Sequence, residues 1–372
     1  MLYAIGDCGA DIENQFELFS TFENIVHITF DELMGTRQII DEDAGIILFF
    51  PYKLWDNFVE TNTGLYGGKS FKANICTLKD HLYKKLKQVF PKALYVNEPN
   101  VFALERDKLE TKAFLYRHGI SVIPNVQKNI SSIKSELANG NCVYVKVRYG
   151  SMGKGITRLE KDKWLTNFSY EKGNIGNHPN DFEWTTIDVT DDFSFLEKLL
   201  KEDVLVEQGI ETPRELGTKF DIRGVFVYGR LAELYGRASD NPLITNLSQG
   251  GDCLEQKDLI EMIGVDKLAE ATKHMRDANR VFGTNFLGVD LAFDKNLNPF
   301  VMEVNSFPGL GHGIDEESIR DALLRDVHSN LTYEHTRRRT ANHGRPEFSI
   351  IRQERTRHTI HPWMRHMGQL VK

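Results

Sequence analysis

Three side chains near the end of the chain are spaced for oxygen chemistry. In GVDLAFDKNLNPFVMEVNSFPG (288–309) two apolar runs flank a polar, Asn-rich segment, Lys295–Asn298, of the kind that makes turns. A four-residue turn there pairs Asp294 with Pro299 and makes the runs antiparallel strands. That register sets Phe293 against Phe300, Leu291 against Met302 and Val289 against Val304 on an apolar face. On the other face it opposes Asp290 to Glu303, and Asn305, two residues on, shares the face of Glu303. Opposed carboxylates with β-carbons about 4.5–5.5 Å apart repel one another. A hard divalent cation makes the arrangement favourable, and oxygen-only donors suit Mg²⁺ or Mn²⁺, with nucleotide phosphates completing the shell. The plain alternative is two solvated acids on an exposed sheet face. The break at Phe307-Pro308-Gly309 then ends the ladder beside the site.

Other stretches could serve the same chemistry. In VYVKVRYGSMGKGI a short apolar strand, Val143–Val147, carries Lys146 and runs into Gly150, Ser151, Gly153 and Gly155. Glycines let backbone approach phosphates, and a nearby lysine neutralises them. Neither the Walker A nor the dinucleotide-binding spacing is present. LVEQGI (205–210) is a strand that turns polar at Glu207-Gln208, as a hinge that reads adenine with backbone groups and one free side chain must; a simple strand end is the alternative. KFDIRGVFVYGRLAELYGRAS (219–239) reads as two strands about a tight turn at Tyr228-Gly229. It embeds Asp221, Arg223 and Arg237, where an arginine could clamp a phosphoryl oxygen or an Asp221–Arg223 pair could be structural.

The elements that must position these residues alternate. Apolar runs at Leu2–Ile5, Ile25–Phe30, Ile46–Phe50 and Ala93–Val96, with a helix over Thr77–Phe90, predict an α/β layer for residues 1–105. Leu54–Phe71 and the polar insertion Lys161–Asp192 read as loops. A helix over Leu109–Arg117 stops at Gly119, and a strand follows that closes at Pro124. Strands are expected at Val143–Val147, Leu205–Gln208, Ile222–Val227, Leu231–Tyr235, Leu287–Phe293 and Phe300–Val304. Leu254–Phe282 and Ile314–Leu331 read as helical.

Composition narrows the class. With 372 residues, 41% of them apolar, the chain can bury a large core in two or three units. No run approaches the ~20 apolar residues of a membrane helix, and no secretory signal is apparent, so a cytoplasmic protein without membrane partners is expected. Cys8, Cys76, Cys142 and Cys253 lie far apart, which suits neither zinc nor a disulfide framework; they are expected to be reduced and buried. The net charge of −7 conceals a basic tail, residues 327–372, with nine Lys/Arg, three Asp/Glu and six of the twelve histidines. The rest therefore carries −13, which argues against nucleic acid as a partner. The tail could meet an acidic substrate, a carrier protein or a neighbouring subunit, or be a solvated extension.

Taken in order, Lys108, Lys146 with its glycine loop, the hinge at Glu207, FDIR, TNLSQGG (245–251), GVDL (288–291) and EVNSFPG (303–309) resemble the ATP-grasp superfamily over about residues 97–312. NEPNVFALERDK, FDIR and EVNSFPG are most similar to the ribosomal-protein glutamate ligases; KFDIR and TNLSQGG are similar to spore-coat-associated ATP-grasp proteins. The resemblance implies an α/β and α+β protein: an N-terminal α/β domain (1–105) and two α+β subdomains (106–205 and 206–326) that hold ATP between them. It implies that Lys108 and Lys146 contact the phosphates and the adenine side, and that Gly150–Gly155 closes over the triphosphate. Glu207, Gln208 and Ile210 match the adenine hinge, Asp221 a nucleotide contact and Asn246 the phosphate region. Asp290, Glu303 and Asn305 match Mg²⁺ ligands, and Arg237 an arginine beside an acyl-phosphate, with Arg223 a further cation. Gly209 stands where many relatives carry a bulkier residue.

The implied chemistry is ATP-dependent ligation of a carboxylate to an amine, with small molecules, peptides or a protein as substrates, and a homo-oligomer is expected. Phosphotransfer to a hydroxyl and a non-catalytic nucleotide-binding scaffold are the alternatives, separated by whether an amide with free phosphate, a phosphoester or neither is formed.

Overall fold

A computed structural model describes residues 1–7, 25–60, 64–99, 101–178, 184–210, 218–306, 308, 319, 321–327 and 329–330. Cys8, most of the tail, and Phe307 and Gly309 of the strand break lie outside the described residues. So does much of the helix expected over Ile314–Leu331, though 321–327 is helical.

Strands β1 (Leu2–Gly6), β2 (Ile25–Thr29), β3 (Gly45–Leu48) and β4 (Leu94–Tyr95) form a parallel sheet in the order β2-β1-β3-β4. β1 and β3 are buried along their whole length, which is why their sequences run apolar without alternation. Helix Lys69–Val89 covers the sheet through Phe71, Ile75, Leu78, Leu82, Leu86 and Val89, and starts earlier than expected because Phe71 and Ile75 extend the same apolar stripe. The expectation of a loop over Leu54–Phe71 holds at 64–68 and is corrected at both ends, where 54–60 and 69–71 are helical. Helix Tyr52–Trp55 and a π-helical turn, Asp56–Glu60, fall there, ordered by burial of Trp55 and Val59 four residues apart.

A second, antiparallel sheet has the order β10-β7-β6-β5-β11, from β5 (Val143–Val147), β6 (Ile156–Glu160), β7 (Lys163–Thr166), β10 (Ile187–Asp188) and β11 (Val204–Gln208). β7, β10 and a small hairpin of β8 (Ser169–Glu171) and β9 (Asn174–Gly176) occupy the insertion expected as a loop. Trp164 and Phe168 anchor it, both buried. One apolar core runs from Tyr3 in the first sheet to Val206 in the second.

The third sheet, β14-β13-β12-β15-β16, is antiparallel and contains β12 (Lys219–Val227), β13 (Arg230–Ser239), β14 (Asp252–Leu254), β15 (Phe286–Phe293) and β16 (Pro299–Asn305). Tyr228 and Gly229 join β12 to β13 with φ of 46° and 79°, the paired left-handed geometry of a two-residue hairpin turn. Helix Val265–Phe282 covers this sheet through Leu268, Ala271, Met275 and Phe282.

The final hairpin keeps the expected register only at its inner end. Gly288 opposes Asn305, Val289 opposes Val304 and Asp290 opposes Glu303, but Leu291 then opposes Val301 and Phe293 opposes Pro299. Met302 is therefore a bulge, and the expected pairs Leu291–Met302 and Phe293–Phe300 do not form. Two interactions take up the extra residue. Asp294 closes a five-residue turn by accepting from the backbone of Asn296 and Asn298, and the Val301 N–H donates to the Ser121 carbonyl at 2.9 Å. Of the described cysteines only Cys142 is buried as expected; Cys76 is half-buried and Cys253 exposed, all as free thiols.

One buried amide ties the two strands to the rest. Asn97 donates to the carbonyls of Phe286 and Ser306 at 2.6 and 2.8 Å and accepts from the N–H groups of Asn285 and Phe286 at 3.1 and 2.9 Å. Asn97→Ala leaves those buried groups unpaired and is expected to cost about 3 kcal/mol of folding stability, read as a lower urea midpoint with an unchanged slope.

Candidate nucleotide and metal site

The antiparallel pairing of β11 with β5 puts Leu205 opposite Lys146, so Glu207 lies diagonally from Lys146 on the same face. Lys112, one helical turn beyond Lys108 on helix Lys108–Arg117, reaches the same carboxylate. Glu207, only 3% exposed, accepts from Lys112 Nζ at 2.6 Å and pairs with Lys146 Nζ at 2.7 Å. Burial opposes its ionisation, but Lys146 and Lys112 outweigh that and hold its carboxyl down at about 2. Burial in turn pulls Lys112 below the usual lysine range, an effect the Glu207 charge offsets only in part.

At the hinge, expected to offer free backbone groups and one side chain, the acid and two N–H groups are engaged within the protein. Glu207 is committed to two lysines, the Gln208 N–H donates to the Pro124 carbonyl at 2.9 Å, and the Gly209 N–H donates to the Cys142 carbonyl at 2.7 Å. Gly209 has a packing reason as well, since a β-carbon there would lie 2.6 Å from the Cys142 β-carbon. Ile210, half-buried, ends the described run. Beside the hinge, Lys219 donates to the Leu243 carbonyl at 2.8 Å and is pulled down to about 7 by burial and by the charges of Lys146 and Arg158.

The glycine loop sits between this hinge and the third sheet. Gly153 and Gly155 have φ of 72° and 70°, conformations that a side chain resists. A β-carbon on Gly153 would also lie 2.9 Å from Ile244 Cγ2 and 3.3 Å from Asn246 Oδ1, so the loop lies directly on the Asn246 segment. Lys108 donates to the Gly150 carbonyl at 2.6 Å and pairs with Glu303 at 3.3 Å, bridging loop and hairpin.

On the hairpin face the opposed acids are met by cations. Arg223 grips Asp290 through two bonds of 2.6 and 2.7 Å, and Arg237 Nη2 adds a third contact at 3.1 Å. Burial disfavours the Asp290 charge, yet Arg223 and then Arg237 hold its carboxyl at about 2. Asp221 pairs with Arg237 at 2.6 Å and accepts from the Thr245 hydroxyl. The expected Asp221–Arg223 pair is therefore replaced by Asp221–Arg237 and Arg223–Asp290. Strand register explains the exchange, because Asp221 faces Arg237 across β12–β13 and Arg223 faces Asp290 across β12–β15.

The oxygen donors of Glu303 and Asn305 fit a hard cation. Glu303 is about one third exposed, and Asn305 has a buried amide nitrogen with no partner. Asp290 fits as a sharing ligand, since three of its roughly four lone-pair sites already accept from arginines. Among the described residues no group of three His, Cys, Asp or Glu clusters as a metal site, so an ion here would draw on the Asn305 amide oxygen. The end of β16 is held by Glu105, a buried acid that accepts from both the N–H and the hydroxyl of Ser306 and pairs with Arg106 at 3.1 Å.

The folded chain thus links the expected residues in groups: Lys146 with Glu207, Lys108 with Gly150 and Glu303, Gly153 with the Asn246 segment, and Arg223, Asp290, Arg237 and Asp221 in one chain of ion pairs, with Asn305 two residues beyond Glu303 on the same strand. Lys112 and Glu105 were missed. Lys112 had a signal, its spacing of four from Lys108; Glu105, an acid within VFALE, had only its misfit in an apolar helix.

A model of the YheC/D-like ATP-grasp domain matches residues 104–329, more than half of the chain. The chain belongs to the YheC/D-like ATP-grasp family. Among curated proteins it is 28% identical over 242 residues to a probable alpha-L-glutamate ligase of Stutzerimonas stutzeri, and 28% identical over 245 residues to one of Vibrio vulnificus. Each match covers 64% of this chain and 65% of the relative, just under two thirds of its length. Solved structures share the ATP-grasp fold. They include the ligase PsnB complexed with a minimal precursor (TM-score 0.53, 13% identity, 87% of this chain and 98% of that one) and the D-cycloserine synthetase DcsG (0.53, 13%, 88% and 100%). No helix among the described residues is long and apolar enough to cross a membrane.

The Lys112–Glu207–Lys146 cluster gives this family member an acid limb. Because the carboxyl of Glu207 falls from an ordinary 4.5 to about 2 on folding, the stability it contributes is complete above pH 4.5 and is lost as the pH falls toward 2. That linkage is worth about 3 kcal/mol. Urea melts across this range should show the loss in the native chain and a flatter limb in Glu207→Gln, which is already destabilised at pH 7 because Lys112 and Lys146 lose their counter-charge.

Proposed function

We propose that the protein is an ATP-dependent carboxylate–amine ligase that makes an amide bond through an acyl-phosphate. The observation that carries this reading is the pairing of four cationic side chains, Lys108, Lys146, Arg223 and Arg237, with Glu303, Glu207, Asp290 and Asp221, Lys108 also holding the glycine loop at Gly150. The probable glutamate ligases among its relatives support the reaction class. Residues 1–105, 106–205 and 206–326 act in this reading as N-terminal domain and two gripping subdomains.

ATP would lie between the second and third sheets, its triphosphate beneath Gly150–Gly155, with the adenine end toward Glu207, Gln208 and Ile210. Lys146 stands at the boundary, already paired with Glu207, and Lys108 spans loop and hairpin. Glu303 and Asn305, with Asp290 sharing, would hold Mg²⁺, the ion present with ADP in one PsnB structure; Mn²⁺ suits the same donors. Bound there, the ion neutralises phosphate charge.

In the first step a substrate carboxylate oxygen attacks the γ-phosphorus. The bond to the β–γ bridging oxygen breaks, and its electron pair leaves on ADP. Two anions meet in this step, so fixed cations at the transferring group are the main need, and Arg223 and Arg237 stand at the hairpin to supply them. Held by Asp290 and Asp221, both guanidinium groups are already oriented. In the second step the amine nitrogen attacks the acyl carbon, the carbon–oxygen bond to phosphate breaks, and the nitrogen loses a proton as the amide forms. No side chain becomes covalently bound.

Substrates are proposed as a peptide or small-molecule carboxylate and an amine. A phosphate-release screen of the purified protein with Mg·ATP against amino acids, short peptides and dicarboxylates, followed by mass spectrometry, should find an amide product with equimolar ADP and phosphate. With that substrate, Glu303→Gln should lower turnover by roughly 10²-fold or more while its melting temperature stays near that of the native chain. Normal turnover in the folded variant would remove Glu303 from the site.

A further inference from the structure

The glycine loop is held from a side that the ligase reading leaves unused. Tyr66 comes from the segment before helix Lys69–Val89, in the N-terminal part of the chain, and its hydroxyl reaches Ser151. The Ser151 N–H donates to Tyr66 Oη at 3.1 Å, and the Ser151 hydroxyl lies 3.3 Å from the same oxygen. The loop's own lysine, Lys154, turns toward the N-terminal part of the chain. It is buried, with Nζ 5.0 Å from the centre of the Tyr66 ring and 4.0 Å from Glu60 of the π-helical turn.

Tyr66 is itself fixed from a third direction. Asn177, beyond β9 in the insertion, accepts from the Tyr66 N–H at 2.7 Å and donates to the Gly64 carbonyl at 3.0 Å. The Tyr66 ring packs edge-on against Phe71 and Trp184. There is no slack at the junction: β-carbons on Gly67 and Gly150 would lie 2.6 and 2.3 Å from atoms of Val147. Burial, and then the charge of Glu60, push the phenol above its usual range, so it stays a neutral donor and acceptor.

We propose that Tyr66 is a positioning residue for the triphosphate: it holds the Gly150–Gly155 loop closed through Ser151, with Lys154 and Asn177 fixing its ring and backbone, and so sets how tightly nucleotide is retained. The proposal rests on the reading that this loop covers ATP. The Ser151 N–H is spent on Tyr66, so the bond fixes the loop's backbone and leaves phosphate contact to the other groups of the loop; a neutral hydroxyl does this at little electrostatic cost and cuts the ordering that binding must supply. The N-terminal part of the chain thereby acts on nucleotide affinity while touching no phosphate.

The test compares the full-length chain with Tyr66→Phe and, as a milder change at an exposed position, Asn177→Ala. Release of a fluorescent ADP analogue, KM for ATP, kcat and amide hydrogen exchange at residues 150–155 are measured for each. Tyr66→Phe should speed ADP release and raise KM for ATP roughly five- to tenfold, with much the smaller change in kcat, and should accelerate exchange across the loop. Asn177→Ala should move the same quantities in the same direction by less. Native ADP release and native exchange in folded Tyr66→Phe overturn the proposal, as does a loss confined to kcat. Faster exchange in a chain whose native form binds no ADP would instead overturn the nucleotide reading on which the proposal rests. Exchange is measured without nucleotide, so the two failures are distinct.

Discussion

Two carboxylates face each other across the last hairpin, and the structure around the cleft follows from the need to balance them. Asp290 is almost wholly buried, and a buried carboxylate is tolerated only when paired and hydrogen-bonded. Arg223 and Arg237 meet that need from the two strands beyond β15; Asp221 then fixes Arg237, and the Thr245 hydroxyl fixes Asp221. Glu303, more open, takes Lys108, which also holds the glycine loop. Such pairs add little net stability against apolar residues of the same shape. Their placement suits the proposed function, in which a triphosphate would draw on Lys108 and the arginines.

The same economy operates at the hinge. Glu207 draws Lys112 and Lys146 to one point, so two positive charges are held close together. Lys112 also donates to Asn125, which ties the helix carrying both Lys108 and Lys112 to the hinge. A shift of that helix would therefore move the contacts of Glu207 and of Glu303 together. Asn97 and Glu105 hold the ends of β15 and β16, tying the hairpin to the segment that follows the first sheet.

Much of this was legible because the chemistry is local. Alternation and glycine spacing located the strands, the Tyr228-Gly229 turn and the loop at Gly150, and the period of two placed Asp290, Glu303 and Asn305 on one face. The pattern failed where partners come from far along the chain. Nothing near Met302 signals its bulge, which depends on Ser121 and on the turn held by Asp294. Asp221 and Arg223 looked like partners because they lie two apart, yet strand register gives each a partner in a different neighbouring strand. The polarity of Leu54–Phe71 concealed Trp55 and Val59, whose burial orders the helical turns there, and no local cue marks Tyr66 as a neighbour of Ser151.

In the proposed function the Lys108–Glu303 pair stands where Mg·nucleotide would bind and yields to it. A crystal structure of the protein with Mg·ADP tests this most directly. The expected result is Glu303 released from Lys108 and turned, with the Asn305 amide oxygen, onto the metal, while Lys108 points to a phosphate. Nucleotide bound elsewhere, with Lys108 and Glu303 still paired at the 3.3 Å seen without it, would contradict the account.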